Sequence, residues 1–182
     1  MGDATGQRVD MGEPAVAVSR TVALHRAHAA DVYRYLSRLT AGDQARTEDL
    51  TQQVFERLAS TLLATPDRVL TVGWLMATAR TSFLHDVRHD RRERARLARV
   101  GSWPAVAATD DAAGVEHRDA LRAVMRELPD DQRAALVFRY HDDLPVADVA
   151  ALLGRSVDAT ESLLVRARQR ALRRLSEVDH GS

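Results

Sequence analysis

The stretch His85-Asp86-Val87-Arg88-His89 has the residue types of a metal-activated hydrolase helix. Two imidazoles at i and i+4 share one helical face. A carboxylate beside the first is where a zinc protease keeps its general base. Such a centre needs a third ligand and an open coordination position. Here the acid is Asp86, one methylene shorter than glutamate, and Arg88 sets a cation beside the would-be metal. No third ligand is evident, although Glu93 lies four residues beyond His89. The face His85, His89, Arg92 and Arg96 suits a polyanion better than a metal. Covalent and phosphoryl-transfer chemistry find no support either. The chain has no cysteine, no nucleophile–base set and no glycine-rich phosphate loop. No catalytic residue, metal or cofactor is expected.

The charge pattern points to a polyanionic partner. The net charge is zero, yet all 26 basic residues are arginine and they cluster. Arg88 to Arg99, "RHDRRERARLAR", carries six arginines against Asp90 and Glu93, a local charge of +4. Arg166 to Arg174, "RARQRALRR", carries five arginines and no acid. An acidic stretch, "ATDDAAGVEHRD", lies between them. Two basic clusters on separate helices suit two contacts with nucleic acid, or else two solvated faces. The second cluster ends "GRSVDATESLLVRARQRALRRL", which is acidic at Asp158 and Glu161 where its helix should start. An acid there can accept a hydrogen bond from a cytosine amino group. The spacing Asp158-x-x-Glu161 equally fits a capping box.

The elements that carry these residues are helical. The 182 residues are 45% apolar and 4% aromatic, enough for one ordinary domain or two small ones. No run approaches the roughly 18 apolar residues of a membrane span, and no secretory signal is visible, so a cytoplasmic location is expected. Residues 1–19 lack periodicity and read as a disordered tail. Ala29, Val32, Tyr33 and Leu36 then follow helical spacing. Thr47 or Asp49 is positioned to cap a second helix bearing Leu50, Val54, Leu58 and Leu62. A third runs from about Thr71 to Ala98, with Leu75, Ala79, Phe83 and Val87 on one side and Trp74, near its start, expected in the core rather than stacked on a base. Residues 99–116 read as a linker. Beyond it, a helix ends at Pro129, another starts at Asp130, and Val146, Val149, Ala150 and Leu153 form a short stripe closed by Gly154. A longer helix follows from Ser156 or Asp158. A short helix, a glycine turn and a longer helix is the helix-turn-helix pattern. The expected fold is therefore all-α: two small helical domains joined by a flexible linker, the C-terminal one a helix-turn-helix.

From Leu24 to Leu175 the chain resembles the extracytoplasmic-function sigma factors of bacterial RNA polymerase. "TEDLTQQVFERL" resembles the region that packs on the polymerase clamp. "GWLMATARTSFLHDVRHDRR" resembles the segment that melts and reads the downstream, minus-ten promoter element. "LPDDQRAALVFRYHDDLPVADVAALLGRSVDATESLLVRARQRALRRL" resembles the domain that reads the upstream, minus-thirty-five element. The resemblance implies residues 20–98 as region 2 and 117–176 as region 4, with 177–182 a tail. It implies polymerase contacts at Glu48, Asp49, Gln52, Gln53 and Glu56. Downstream DNA contacts fall on Thr81, Ser82, His85, Arg88, His89, Arg91 and Arg92. Upstream contacts fall on Arg155, Ser156, Asp158, Thr160, Glu161, Ser162, Arg166 and Arg168. Thr81 and His85 stand where the family often has asparagine and aspartate, and Glu161 and Leu163 stand where it commonly has basic residues. The implied partners are core RNA polymerase, promoter DNA and an anti-sigma factor, with no membrane contact. The rival reading is a helix-turn-helix regulator that acts without replacing sigma.

Overall fold

The computed structural model describes residues 12–98 and 116–179. Three helices form an N-terminal lobe: α1 Glu13–Leu39, α2 Gln44–Ala64 and α3 Val72–Ala98. The C-terminal lobe holds α4 Glu116–Glu127, α5 Asp130–Leu136, α6 Val146–Leu153 and α7 Val157–Asp179. A π-helical segment, Val137–His141, continues α5. There is no strand among the described residues, so the all-α expectation holds, with one helical part on each side of residues 99–115. Those residues, with 1–11 and 180–182, lie outside the described part, and the linker and outer-tail readings fall there.

Local sequence explains most boundaries. α1 begins ahead of residue 20, at Glu13, with Pro14 in its first turn, where proline's missing N–H costs nothing. Ala17 is fully buried there, so the helix reaches into what the sequence marks as tail. Ala41 and Gly42 then adopt positive φ, 57° and 83°, and turn the chain. The cap of α2 is Asp43, whose carboxylate accepts from the Arg46 N–H at 3.0 Å. It is neither Thr47 nor Asp49. Thr47 is fully buried, and its hydroxyl meets that of Thr40 at 2.7 Å. A polar residue at helix-start spacing proves to be a hydrogen-bonded core residue.

The heptad-like stripes do their expected work. Val32, Leu36 and Leu39 pack with Leu50, Val54, Leu58 and Leu62, and Leu75, Ala79 and Phe83 complete the core. Trp74 packs against its edge. In the C-terminal lobe Gly154 takes φ 64°, the left-handed C′ conformation. The N–H groups of Gly154 and Arg155 reach back to Ala151 and Ala150. Ser156 then caps α7, its hydroxyl accepting from Ala159 N–H at 3.2 Å. Ala159 therefore holds the position where a capping box needs glutamate. Glu161 is two residues too deep, and the box reading of Asp158 and Glu161 does not hold.

The lobes are packed together. Ala134, Ala135, Val137, Phe138, Val149, Leu163 and Leu164 belong to the same apolar cluster as the three N-terminal helices. The seam between lobes is lined with charge. Tyr35 Oη donates to Asp142 Oδ2 at 2.7 Å, and Arg80 lies 3.4 Å from the same oxygen. Arg46 joins Asp86, at 2.6 Å in its own lobe, to Asp130, at 3.3 Å in the other.

Candidate nucleic-acid interface

α3 turns Leu75, Ala79, Phe83 and Val87 inward, which leaves Thr81, His85, His89, Arg92 and Arg96 exposed on the far side. Arg92 has no partner among the described residues. Thr81 bonds back to the Ala77 carbonyl at 2.9 Å. Ser82 is half-buried in a shallow groove shared with Gln53, Glu56, Arg57, Thr65 and Arg68. Arg96 donates to Glu93 at 2.8 Å, and that bond holds the Glu93 carboxyl below its usual range. Asp86 sits under Arg46, not beside His85 and His89, so the trio does not assemble as a hydrolase site.

Arg88 and Arg91 stand differently from Arg92. Arg88 Nη2 donates to the Leu152 carbonyl at 2.9 Å, at the end of α6. Arg91 lies 3.7 Å from Asp131, on α5. Arg155, expected on the upstream element, is half-buried and pairs with the same Asp131. Of these arginines, all read from sequence as DNA contacts, Arg88 and Arg91 reach across to the C-terminal lobe, and Arg155 is held within its own.

On α7 the exposed residues Asp158, Glu161, Ser162, Val165 and Arg166 line one shallow concavity. Arg168 is exposed just beyond it. Arg166 Nε bonds the Ser162 carbonyl at 3.2 Å. Thr160 does not belong to this surface. It is fully buried, and its hydroxyl donates to the Ser156 carbonyl at 2.9 Å, so a DNA contact at Thr160 is ruled out by burial. Further along, Arg174 pairs with Glu127 on α4 at 2.5 Å and Glu177 at 2.7 Å. Part of the second arginine cluster thus fastens the lobe.

On α2, Glu48, Asp49, Gln52, Gln53 and Glu56 are all exposed. Gln44 donates to Glu48, and Gln52 to Glu56, each one turn apart. Beside them, the His25 ring meets the Phe55 edge with centroids 4.6 Å apart. The result is an acidic and amide surface next to an aromatic groove.

The seam residues carry no signal in the sequence. Burial raises the Tyr35 pKa far above the ordinary phenol value, helped by its bond to Asp142. Burial opposes charge on Arg46, but Asp130, Asp86 and Asp90 outweigh it and leave its pKa raised. Nothing in the spacing of Tyr35, Arg46, Arg80 or Asp142 sets them apart, because their partners lie far away in sequence.

Residues 118–175 match the family Sigma-70, region 4. Over 141 residues the chain is 34% identical to the ECF RNA polymerase sigma factor SigM of Bacillus subtilis (strain 168), covering 77% of this chain and 85% of that one. It is 33% identical over 144 residues to the ECF RNA polymerase sigma factor SigC of Mycobacterium tuberculosis (strain CDC 1551 / Oshkosh), covering 78% and 76%. Among solved structures, the fold is similar to that of the sigma factor RpoE in its co-crystal with the anti-sigma factor NepR from Bartonella quintana. The TM-score is 0.57 at 18% identity, over 87% of this chain and 98% of that one. With two arginine-bearing helical lobes, a helix-turn-helix at the C-terminal end and relatives of this identity and coverage, the chain belongs to the ECF sigma factors of RNA polymerase.

Proposed function

We propose that the chain binds core RNA polymerase and directs it to start transcription at particular promoters. The α2 surface around Glu48, Asp49, Gln52, Gln53 and Glu56 docks on the polymerase. Residues 20–98 act as region 2: the exposed face of α3, with Thr81, His85, His89 and Arg92, meets the minus-ten element as it melts. Residues 117–176 act as region 4, with α7 in the major groove at the minus-thirty-five element. Residues 99–116 join the two, and 1–19 and 177–182 flank them. The polymerase makes the bonds, and this chain selects the site. An anti-sigma protein is its expected antagonist, as in the RpoE–NepR co-crystal. A cytoplasmic location follows from that work, and no helix among the described residues is long and apolar enough to cross a membrane.

The observation that carries this reading is the layout of α7. Asp158, Glu161 and Ser162 are exposed near its start, where recognition helices meet base edges, and Arg166 and Arg168 lie further on, placed for phosphate. Run-off transcription with purified core polymerase tests it. The chain should confer promoter-specific initiation, and Glu48→Arg with Gln52→Arg should weaken core binding at least about tenfold, roughly 1.4 kcal/mol. Tight sequence-specific binding of duplex DNA by the isolated chain, with no transcript from the holoenzyme, would favour the regulator.

A further inference from the structure

We propose that Arg20 is a positioning residue for the melted promoter strand: its guanidinium holds the connection between α2 and α3, and so sets Arg68 where that side chain meets a phosphate of the unpaired strand. This role rests on reading Ser82 and the exposed face of α3 as a DNA surface. It goes beyond that reading by adding two residues from outside α3, neither of them marked by a motif.

The connection, residues 65–71, has little of its own to hold it. Among the described residues its one internal main-chain hydrogen bond runs from the Arg68 N–H to the Thr65 carbonyl, at 3.1 Å, and no main-chain donor reaches the carbonyls of Pro66 and Arg68. Leu70 is buried in the core, but Val69 beside it is 82% exposed, so no burial fixes residues 67–69. Arg20, on the early turns of α1, takes both free carbonyls: Nη1 donates to that of Pro66, and Nη2 to that of Arg68 at 2.8 Å. The helix that carries Arg20 is itself fixed there, since Ala17, one turn earlier, is fully buried in the same core as Leu70. A guanidinium suits this task because its donors form a rigid fork, which sets the two carbonyls relative to each other. Bonds from a charged donor are also stronger than those between neutral groups. A lysine, with a point charge on a flexible stem, cannot impose the same geometry.

The side chains of the connection border the expected DNA surface. Thr65 and Arg68 line the same shallow groove as Ser82 of α3 and Arg57, Ser60 and Thr61 of α2. The Arg57 and Arg68 side chains are exposed and have no partner among the described residues. One carboxylate, Glu56, also lines the groove, and it already receives Gln52 at 2.7 Å. Single strands are held by a positive groove that tracks their backbone and by aromatic platforms on which bases stack. This groove has guanidinium and hydroxyl donors and no aromatic ring, so it suits the backbone. Arg68 is the donor on the connection itself, and Arg20 bonds the carbonyl of that same residue. Without the bond, binding a phosphate would first have to order the connection, and that ordering costs affinity. With it, Arg68 is placed in advance.

The test is a double-mutant cycle on the holoenzyme. The probe is a short fluorescein-labelled single strand, selected from a random pool by wild-type holoenzyme. Full-length Arg20→Met, Arg68→Ala and the double variant are each assembled with core polymerase, which they should bind as the wild type does. Each single variant should bind the strand about tenfold more weakly, the worth of one charged hydrogen bond. Arg68→Ala should lower the slope of log K against log salt by about 0.7, one phosphate's share on a single strand. Arg20→Met should lower it by the same amount, although the Arg20 donors themselves are spent on carbonyls. The double variant should be no weaker than Arg68→Ala, because the two residues act as one unit. Arg20→Lys keeps the charge and the stem without the fork. Its loss should be smaller, and it should vanish in the Arg68→Ala background, a result that stands even where Arg20→Met fails to fold. Wild-type strand binding and salt slope in Arg20→Met, or losses that add in the double variant, would overturn the positioning role. Strand binding untouched by Arg68→Ala, with promoter-directed transcripts still made, would sink this inference and leave the sigma reading standing. No promoter-directed transcript from the wild-type holoenzyme would sink both.

Discussion

Glu161 is exposed, makes no hydrogen bond among the described residues, and is not the residue that caps α7. With Ser156 in the capping place, the acid is left free to meet a base edge. If it accepts from a cytosine amino group, Glu161→Lys should change the preferred base at one upstream position, a discrimination of about 1–3 kcal/mol. Arg168→Ala should weaken all promoters about equally. Selection from a randomised upstream element with wild-type and Glu161→Lys holoenzymes checks this. Identical selected sequences would reduce Glu161 to a helix-end charge. Ser156→Ala should instead cost about 1 kcal/mol of stability, read by thermal or urea unfolding, because it removes the cap. The two effects are separable, since one changes sequence choice and the other changes melting. The residue scale also shows where spacing misleads. Asp158 and Glu161 match a capping box in letters, but the true start of the helix, set by Gly154 and Ser156, shifts the frame. Thr160 matches a recognition position and is buried instead.

α5 is anchored by a charge that the apolar pattern does not reveal. Arg133 is 5% exposed, pairs with Asp130, and donates to the Met125 carbonyl of α4 at 3.0 Å. Burial outweighs Asp130 and lowers its pKa, yet a guanidinium stays charged in any accessible range. The residue ties the last turn of α4 to the first turn of α5 across Pro129. Removing one partner of a buried pair is costly, about 3–5 kcal/mol. Asp130 keeps Arg46 as a second partner, so Arg133→Ala should fall near the lower end, about 3 kcal/mol. Arg133→Met, which refills the volume, should lose less. Urea midpoints of the two variants check the order. Helix existence and apolar faces were legible in the sequence because period and turn chemistry are local: Leu50, Val54, Leu58 and Leu62 could be read directly, and Gly154 marked its own helix end. The buried polar residues Thr47, Thr160 and Arg133 were not legible. A polar letter in a helical stripe signals exposure by default, and only a distant hydrogen-bond partner overrides it.

The whole molecule has an unusual titration. With neither lysine nor cysteine, tyrosine is the one side-chain type in the chain whose ordinary pKa falls between about pH 8 and 12. Tyr35, packed among Asp142, Arg80, Arg38 and His141, has a folded-state pKa raised above the unfolded value. Its contribution is therefore fully present below about pH 10 and is lost as pH rises beyond that toward the folded value. Tyrosinate absorbance should show Tyr35 ionising only as the lobes part, and Tyr35→Phe should delete that late step. A late step that persists in Tyr35→Phe would show that another tyrosine carries it. None of this could be read from the sequence, where Tyr33 fits the core stripe better than Tyr35 does. The packed seam also bears on how such a chain would travel in a cell. A genome offers about a million or more non-specific sites to any exposed basic surface. A chain of zero net charge that keeps Arg88, Arg91 and Arg155 occupied at home spends fewer counterion-releasing contacts on random duplex. It would stay in the freely diffusing pool, available to polymerase instead of being scattered along the chromosome.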